Sequence, residues 1–359
     1  MELIKISYYS IMGLTLIFLS CGGGSEKKAE KKKQAQEYAE NMKLEQEIGQ
    51  KARSLFQVLP AIADNPDNPI TPEKVALGKQ LYFDNRLSKG QTQSCNTCHD
   101  LSTYGVDNKK LSPGDEGEEG DRNSPTVLNA ALHTIQFWDG RAKDVEEQAG
   151  MPILEADEMN IPNEEYLIQR LKSVEGYQRM FAAAFPENQD PITYENLEKA
   201  IGAFERTLII PSKFDDYLSG KAEALSLAEK QGLKTFMDVG CITCHTGSLL
   251  GGNMYQKFGV HFNYWEFTNS DPIDDGRAKE TQNETDKYMF KVPSLRNVAK
   301  THPYFHDGSV ASLEEAIKII SKVNLNRDLT DEEVASIVVF LNALTGELPA
   351  ESTQAPEPI

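Results

Sequence analysis

Basic residues are in short supply: Lys and Arg number 37 against 55 Asp and Glu, for a formal net charge of −18. A chain this acidic lacks the footprint that releases counterions from a phosphate backbone, which argues against nucleic-acid binding. A basic protein partner fits the charge, and plain solubility accounts for most of it. Aromatic residues make up only 8% of the chain, yet 39% hydrophobic residues over 359 positions still build sizeable cores, with room for two domains. Long runs of alternating polar and apolar residues are missing as well. Helical periodicity takes their place over Glu164 to Phe185, Tyr194 to Leu208, Leu227 to Met237, Leu313 to Val323 and Asp331 to Leu344. Thr330 and Glu333 form a capping box for the last of these, and Gly346 follows its end. The fold class is therefore mostly α with long ordered loops.

Cysteine is scarce too: Cys21, Cys95, Cys98, Cys241 and Cys244 are the full set. Cys21 follows an early Lys5 and an apolar run from Ile11 to Leu19, which reads residues 1–20 as a lipoprotein signal peptide with Cys21 as the lipidated residue. An uncleaved anchor would serve equally, and either reading exports the chain and holds it at a membrane. The other four cysteines form two close pairs with none left over. Exported proteins usually spend cysteine on disulfides, but two residues between partners close a strained loop of little stabilising value. Another use for the pairs is expected.

Residues 21–51 are rich in Lys, Glu, Gln and Ala and read as a charged, solvated, partly helical tether. The folded part is expected to begin near Ala52, and residues 347–359 read as a loose tail. Between them lies an internal repeat. One copy runs Pro125-Thr-Val-Leu-Asn129, then Phe137-Trp-Asp-Gly140, then Val145-Glu-Glu147; the other runs Pro293-Ser-Leu-Arg-Asn297, then Phe305-His-Asp-Gly308, then Leu313-Glu-Glu315. Each copy lies downstream of one cysteine pair. Trp138 and His306 occupy matched positions, so the copies differ where chemistry is expected.

Cys95-Asn-Thr-Cys98-His99 and Cys241-Ile-Thr-Cys244-His245 both fit c-type haem attachment. Two thiols three positions apart can form thioethers to both vinyl groups of one haem, while the adjacent imidazole reaches the iron from the same side. Chance supplies roughly 0.001 such pentapeptides in a chain of this composition. Zinc sites also use CxxC pairs with histidine, though nothing in zinc geometry asks for His next to the second Cys in both pairs.

With these motifs in this order, the chain resembles the bacterial di-haem cytochrome c peroxidases from roughly Pro60 to Gly346. The runs LYFDNRLS, CNTCH, RNSPTVLNAA, QFWDGRA, EEQAGMPI, EADEM, CITCH, YQKFGV, FKVPSLRNV, PYFHDGS and LTDEEVASIVVFLNALTG carry the likeness. The resemblance implies two covalently bound haem c groups in two cytochrome c-like domains, an N-terminal peroxidatic one (52–212) and a C-terminal electron-transfer one (213–346). It implies that hydrogen peroxide is reduced with electrons from a small periplasmic redox protein such as cytochrome c. His99 and His245 would bind the irons. Glu158 would be the acid/base carboxylate and Gln148 the distal amide, since breaking the O–O bond requires a proton carrier and a donor to the developing charge; read alone, Glu158 is a solvated helix-start residue. Trp138 would lie between the haems, where otherwise it is a core aromatic. Asn123, Thr301 and the carbonyl of Pro303 match a weak calcium site. A homodimer, a periplasmic location and a lipid anchor complete the expectation.

Two positions depart from the family pattern. Asp115 stands where many members have a distal histidine, and a carboxylate is a poor sixth ligand, so the N-terminal iron is expected to be open without reductive activation. Ile320 stands where the family usually has a methionine ligand, which raises a haem's potential; Met289, Met254, Lys322 or a tyrosine could substitute. The methylamine-utilisation di-haem oxygenases also lack that methionine and use tyrosine. A di-haem electron carrier without turnover and a peroxide-using protein-modifying oxidase are therefore the competing functions. His133, His261 and His302 are lone residues in loop-like contexts with surface or hydrogen-bonding roles, and His306 is expected beside the second haem.

Overall fold

A computed structural model describes residues 23–359; the expected signal peptide and Cys21 lie outside the described residues. The helices are α1 (Gly23–Leu55), α2 (Pro72–Tyr82), α3 (Cys95–Cys98), α4 (Val145–Leu154), α5 (Glu164–Lys172), α6 (Glu175–Ala184), α7 (Tyr194–Glu205), α8 (Lys213–Leu218), α9 (Leu227–Val239), α10 (Trp265–Thr268), α11 (Ala278–Thr281), α12 (Leu313–Leu325), α13 (Asp331–Asn342) and α14 (Ala350–Thr353). Among the described residues a single two-stranded antiparallel sheet pairs β1 (Tyr255–Lys257) with β2 (Met289–Lys291), in a register that sets Tyr255 opposite Lys291. Among the described residues, no helix is long and apolar enough to cross a membrane.

Two main cores hold the chain. The first packs α2, α4, α5, α6 and α7 around Leu81, Ile153, Leu167, Phe181 and Phe204. The second packs α8, α9 and α13 around Phe214, Phe236, Ile337 and Phe340. The periodic stretch Glu164 to Phe185 divides into α5 and α6 rather than running as one helix. Ser173 Oγ donates to the Arg170 carbonyl at 2.6 Å and Gln178 Nε2 to the Lys172 carbonyl at 2.7 Å. These bonds satisfy carbonyls that a continuing helix would have used, and the bend turns Leu171 and Phe181 into the same core.

The N-terminal boundary differs from the sequence expectation. From Asn41 onward α1 is packed rather than solvated: Lys230 Nζ donates to Asn41 Oδ1 at 2.6 Å, and Asn41 Nδ2 reaches the Leu225 carbonyl at 3.4 Å. Ile48, Ala52 and Phe56, spaced four apart, form a buried stripe within the second core. The start of the folded part thus belongs with the C-terminal half. Gly247 N also bonds the Leu55 carbonyl at 2.9 Å there, and Leu59 N bonds Asp215 Oδ1 at 2.9 Å. The tail is not free either. Leu348 packs against the first core, Lys79 Nζ bonds the Glu351 carbonyl, and Ile359 lies against Gly176.

The two repeat copies adopt the same backbone. Asn129 and Asn297 both have a left-handed φ of 61° and open a short 3-10 turn. Each Asn side chain then accepts a main-chain N–H from a distant segment: Ile210 N at 2.8 Å for Asn129, Gly346 N at 2.9 Å for Asn297. Phe137 and Phe305 share φ near +65°, at 63° and 69°, and the following turns close through Gln136 paired with Ala142 and Tyr304 paired with Val310. Gly140 and Gly308, at φ 71° and 57°, supply the left-handed residue each turn requires. The copies also bond each other through main chain. Asn123 N donates to the His306 carbonyl and Lys291 N to the Trp138 carbonyl, both at 2.7 Å.

Candidate haem cavities and active site

The first pentapeptide is one helical turn. Cys95 and Cys98 fall on the same face of α3, Thr97 Oγ1 accepts from Ser94 N at 3.0 Å, and His99 N continues the turn to the Cys95 carbonyl at 2.9 Å. The second starts at Gly240, whose φ of 102° ends α9 and lets the chain enter the Cys241–Thr243 turn without Cβ strain. His245 N bonds the Cys241 carbonyl at 3.0 Å. None of these four cysteines is joined in a disulfide. Burial raises the pKa of each, that of Cys98 to about 11 and of Cys241 to about 12.

Each pentapeptide opens into its own cavity. Cys95, Cys98 and His99 line one of about 350 Å³, and Cys241, Cys244 and His245 line a more apolar one of about 260 Å³. His245 Nδ1 lies 2.7 Å from the Leu250 carbonyl. A carbonyl can only accept, so the proton sits on Nδ1 and the Nε2 lone pair is left for a metal. His99 Nδ1 is buried without a hydrogen bond of normal geometry, although the Pro125 carbonyl faces it. Burial lowers the proton affinity of both imidazoles, which favours the neutral, ligating form. Among the described residues no three His, Cys, Asp or Glu side chains are placed together to hold a metal ion. Paired thiols and one neutral imidazole on each cavity wall are the donor set for a covalently held tetrapyrrole.

Trp138 lines both cavities. Its Nε1 donates to the Asn123 carbonyl at 2.9 Å and its carbonyl accepts from Lys291 N, so the indole is pinned from both halves. His306 is buried on the second cavity, its ring stacked on Phe290 with centroids 4.2 Å apart, and burial pushes its pKa down to about 4.

Gln148 on α4 and Glu158 on the loop that folds back against α4 line the first cavity. Met159 N and Ile161 N bond the carbonyls of Pro152 and Ile153 at 3.2 and 2.9 Å, which fixes that return. Among the described residues the Gln148 amide makes no side-chain hydrogen bond within the protein, so its donors are free. Burial pushes the Glu158 carboxyl up to about 7, with Asp157 adding to the shift and Arg141 opposing it.

Asp115 does not line the cavity. Its carboxylate is tied to Ser88 Oγ at 2.8 Å, Thr92 Oγ1 at 2.5 Å and Gly90 N at 2.5 Å. Burial works against its charge, but these donors outweigh burial and lower its pKa. Ile320 lines the second cavity; of the alternative ligands weighed, Tyr304 also lines it, whereas Met254, Met289 and Lys322 do not. Tyr304 Oη is engaged with the Val298 carbonyl at 3.1 Å. Asn123, Thr301 and Pro303 all border the second cavity, and the Asn123 amide nitrogen is spent on the Lys109 and Lys110 carbonyls at 2.8 and 3.3 Å. His261 and His302 are exposed as expected.

Sequence reasoning missed four residues at the first cavity. Arg122 bonds Asp274 Oδ2 at 2.7 Å and also Asp139, joining the two halves through a buried ion network. Glu205 is buried with Oε2 unpartnered, and burial pushes its carboxyl up to about 8. His133 is buried rather than at the surface, 3.0 Å from Lys291 Nζ, and both line both cavities. A charged residue inside the apolar stretch Met289–Val292 was the available signal for Lys291.

A family model for the di-haem cytochrome c peroxidases matches residues 72–223. The chain is 41% identical over 317 residues to the cytochrome c551 peroxidase of Pseudomonas aeruginosa, spanning 86% of this chain and 91% of that protein. It is 44% identical over 294 residues to the cytochrome c551 peroxidase of Nitrosomonas europaea, spanning 80% and 86%. Among solved structures, a MauG-like protein associated with microbial copper homeostasis superposes with a TM-score of 0.73 at 30% identity, over 83% of this chain and 97% of that one.

Proposed function

The chain thus belongs to the di-haem cytochrome c peroxidase family, and from that premise we propose that it reduces hydrogen peroxide to water at the His99 cavity, using electrons that enter through the His245 cavity from a small cytochrome c. One observation carries the reading: two cavities, each walled by paired thiols and an imidazole, meet at Trp138. The haems would be held by Cys95 and Cys98, and by Cys241 and Cys244, with His99 and His245 on the irons. When bound, they would supply the redox-active iron that peroxide reduction requires.

The surrounding residues then have distinct tasks. Reduction consumes two electrons and two protons per peroxide and releases two waters. Ionised Glu158 takes the proton from one peroxide oxygen and returns it to the other, a role matched by a carboxyl near pH 7. The Gln148 amide donates to the oxygen on which negative charge develops. Trp138 offers a π-system between the two sites. Asp115, committed to the 88–92 loop, would not be available as a ligand to an iron held by His99, so turnover would need no prior half-reduction.

The wider reading follows from the same premise. Residues 52–212 and 213–346 remain the two haem domains, apart from the α1 stripe, and their matched turns support an origin by duplication. Asn123, Thr301 and Pro303 would hold calcium weakly. The mature protein would sit in the periplasm, lipid-anchored at Cys21, with the exposed first part of α1 as its stalk, and would form a homodimer. Ile320 favours a second reading, a peroxide-using oxidase of a partner protein's side chains. The test is steady-state oxidation of a reduced small cytochrome by peroxide. Turnover that Glu158→Gln abolishes supports the peroxidase; modified protein substrate with little cytochrome oxidation supports the other reading.

A further inference from the structure

Lys291 is an amine in the wrong place for a protein that stands alone. It is only 5% exposed, and among the described residues its Nζ meets one side chain at hydrogen-bonding length, His133 Nδ1 at 3.0 Å. An ammonium has three donors and no acceptor, so Nδ1 accepts and the ring proton lies on Nε2. That Nε2 is itself buried without a partner. Asp139, the anion that acts most on Lys291, is already bound by Arg122 and by Arg141 at 3.1 and 3.2 Å. Buried charge persists when it is paired, and among the described residues no carboxylate other than Asp139 acts on this amine. Burial accordingly pushes the amine down to about 7.

Position identifies the missing partner. Lys291 and His133 both line both cavities, on the wall that also carries Trp138, and Lys291 N is bonded to the Trp138 carbonyl. Gly252 backs the His133 ring so closely that a Cβ there would come within 2.6 Å of its Cδ2, which fixes the imidazole in place. The remaining N–H donors of the Lys291 ammonium therefore lack an acceptor where the two cavities meet, and His133, whose Nε2 points to the other side of the ring, serves to orient the amine. A c-type haem carries two carboxylates that take no part in covalent attachment or iron ligation.

We propose that Lys291, held in place by His133, clamps a haem propionate at the seam between the two cavities and places a fixed positive charge beside Trp138. The inference rests on the di-haem reading above. A cation near iron disfavours the ferric state, so removing it moves the reduction midpoint to more negative potential.

The experiment uses the holoprotein made in a host competent for cytochrome maturation. Intact mass first counts the attached haems. Resonance Raman spectra then report the propionate bending band, and a spectroelectrochemical titration reports both midpoints. Lys291→Met is expected to retain two haems, shift the propionate band and move at least one midpoint negative, while Lys291→Arg stays close to wild type. Two haems with an unmoved band overturn the proposal, and a midpoint shift with an unmoved band does so too, because the clamp then holds a free anion. If Lys291→Met does not load haem, His133→Phe, which removes the acceptor that orients Nζ, is read by the same band, and an unmoved band there overturns the proposal. A wild-type protein with no attached haem would instead defeat the di-haem reading itself.

Discussion

Replacing Glu158 with Gln keeps the side chain's size and one of its two oxygens while removing the group that can carry a proton between the peroxide oxygens. A positioned acid/base residue contributes about 10²- to 10⁴-fold, so kcat/KM for peroxide is expected to fall by that factor, or ~3–5 kcal/mol of barrier. The pH profile makes the test sharper. Burial places the Glu158 carboxyl near 7, Asp157 adds to the shift and Arg141 opposes it. The ionised form receives the first proton, so activity rises with pH. A one-proton titration centred near 7 leaves about 10% ionised at pH 6 and about 90% at pH 8, roughly a ninefold gain. Asp157→Asn should move the rising limb to lower pH and Arg141→Met to higher pH. The assay is steady-state oxidation of a reduced small cytochrome at saturating donor and varied peroxide, with haem content checked for every variant. A Glu158→Gln protein that keeps more than about a tenth of its activity, or a wild-type profile flat from pH 6 to 8, refutes the assignment.

Four other outcomes are expected. Asp215→Asn weakens the bidentate hold, at 2.6 and 3.0 Å, on Arg296, which is 2% exposed; stranding that cation should cost about 3–5 kcal/mol in urea unfolding, and an unchanged midpoint would remove Asp215 from the stability account. Glu205 has a folded-state pKa near 8 against an ordinary carboxylate in the unfolded chain, so the native state binds the extra proton and stability declines as pH rises between those values. Glu205→Gln should therefore raise the melting temperature at pH 8, with the gain shrinking towards pH 5; an equal effect at both pH values contradicts this. The ferric protein as isolated should show a high-spin component that survives Asp115→Ala, because Asp115 is held by Ser88, Gly90 and Thr92; a purely low-spin spectrum is the contrary result. Ile320→Met should raise the midpoint of the C-terminal haem, and an unmoved potential would mean that the side chain does not reach the iron.

Local signals were legible and long-range ones were not. The pentapeptides, the repeat and the helices α7, α9, α12 and α13 could be read because spacing, capping and period are properties of neighbouring residues. The division of α5 from α6 was hidden because it depends on Ser173 and Gln178 capping carbonyls while the core draws both helices inward. The stripe Ile48, Ala52 and Phe56 was visible as residues but not as a claim on the C-terminal core, since composition alone marks that region as solvated. Lys291 carried a local signal, a charge inside an apolar stretch, but its pairing with the distant His133 did not, so what the charge is for could not be read beforehand. Asp115 was weighed only as a ligand position, whereas its task in the fold, fastening the 88–92 loop, is carried by three partners that no motif announces.

The reciprocal bonds from Asn123 N to the His306 carbonyl and from Lys291 N to the Trp138 carbonyl use main-chain atoms alone. Any amino acid other than proline can make them, so this part of the grip between the two halves is indifferent to what the side chains become, unlike the Arg122–Asp274 bridge. An indole can stand opposite an imidazole, and an amide opposite an amine, without loosening the fit. Symmetry of scaffold and asymmetry of chemistry are thereby decoupled, leaving each half free to specialise while the other holds it in place.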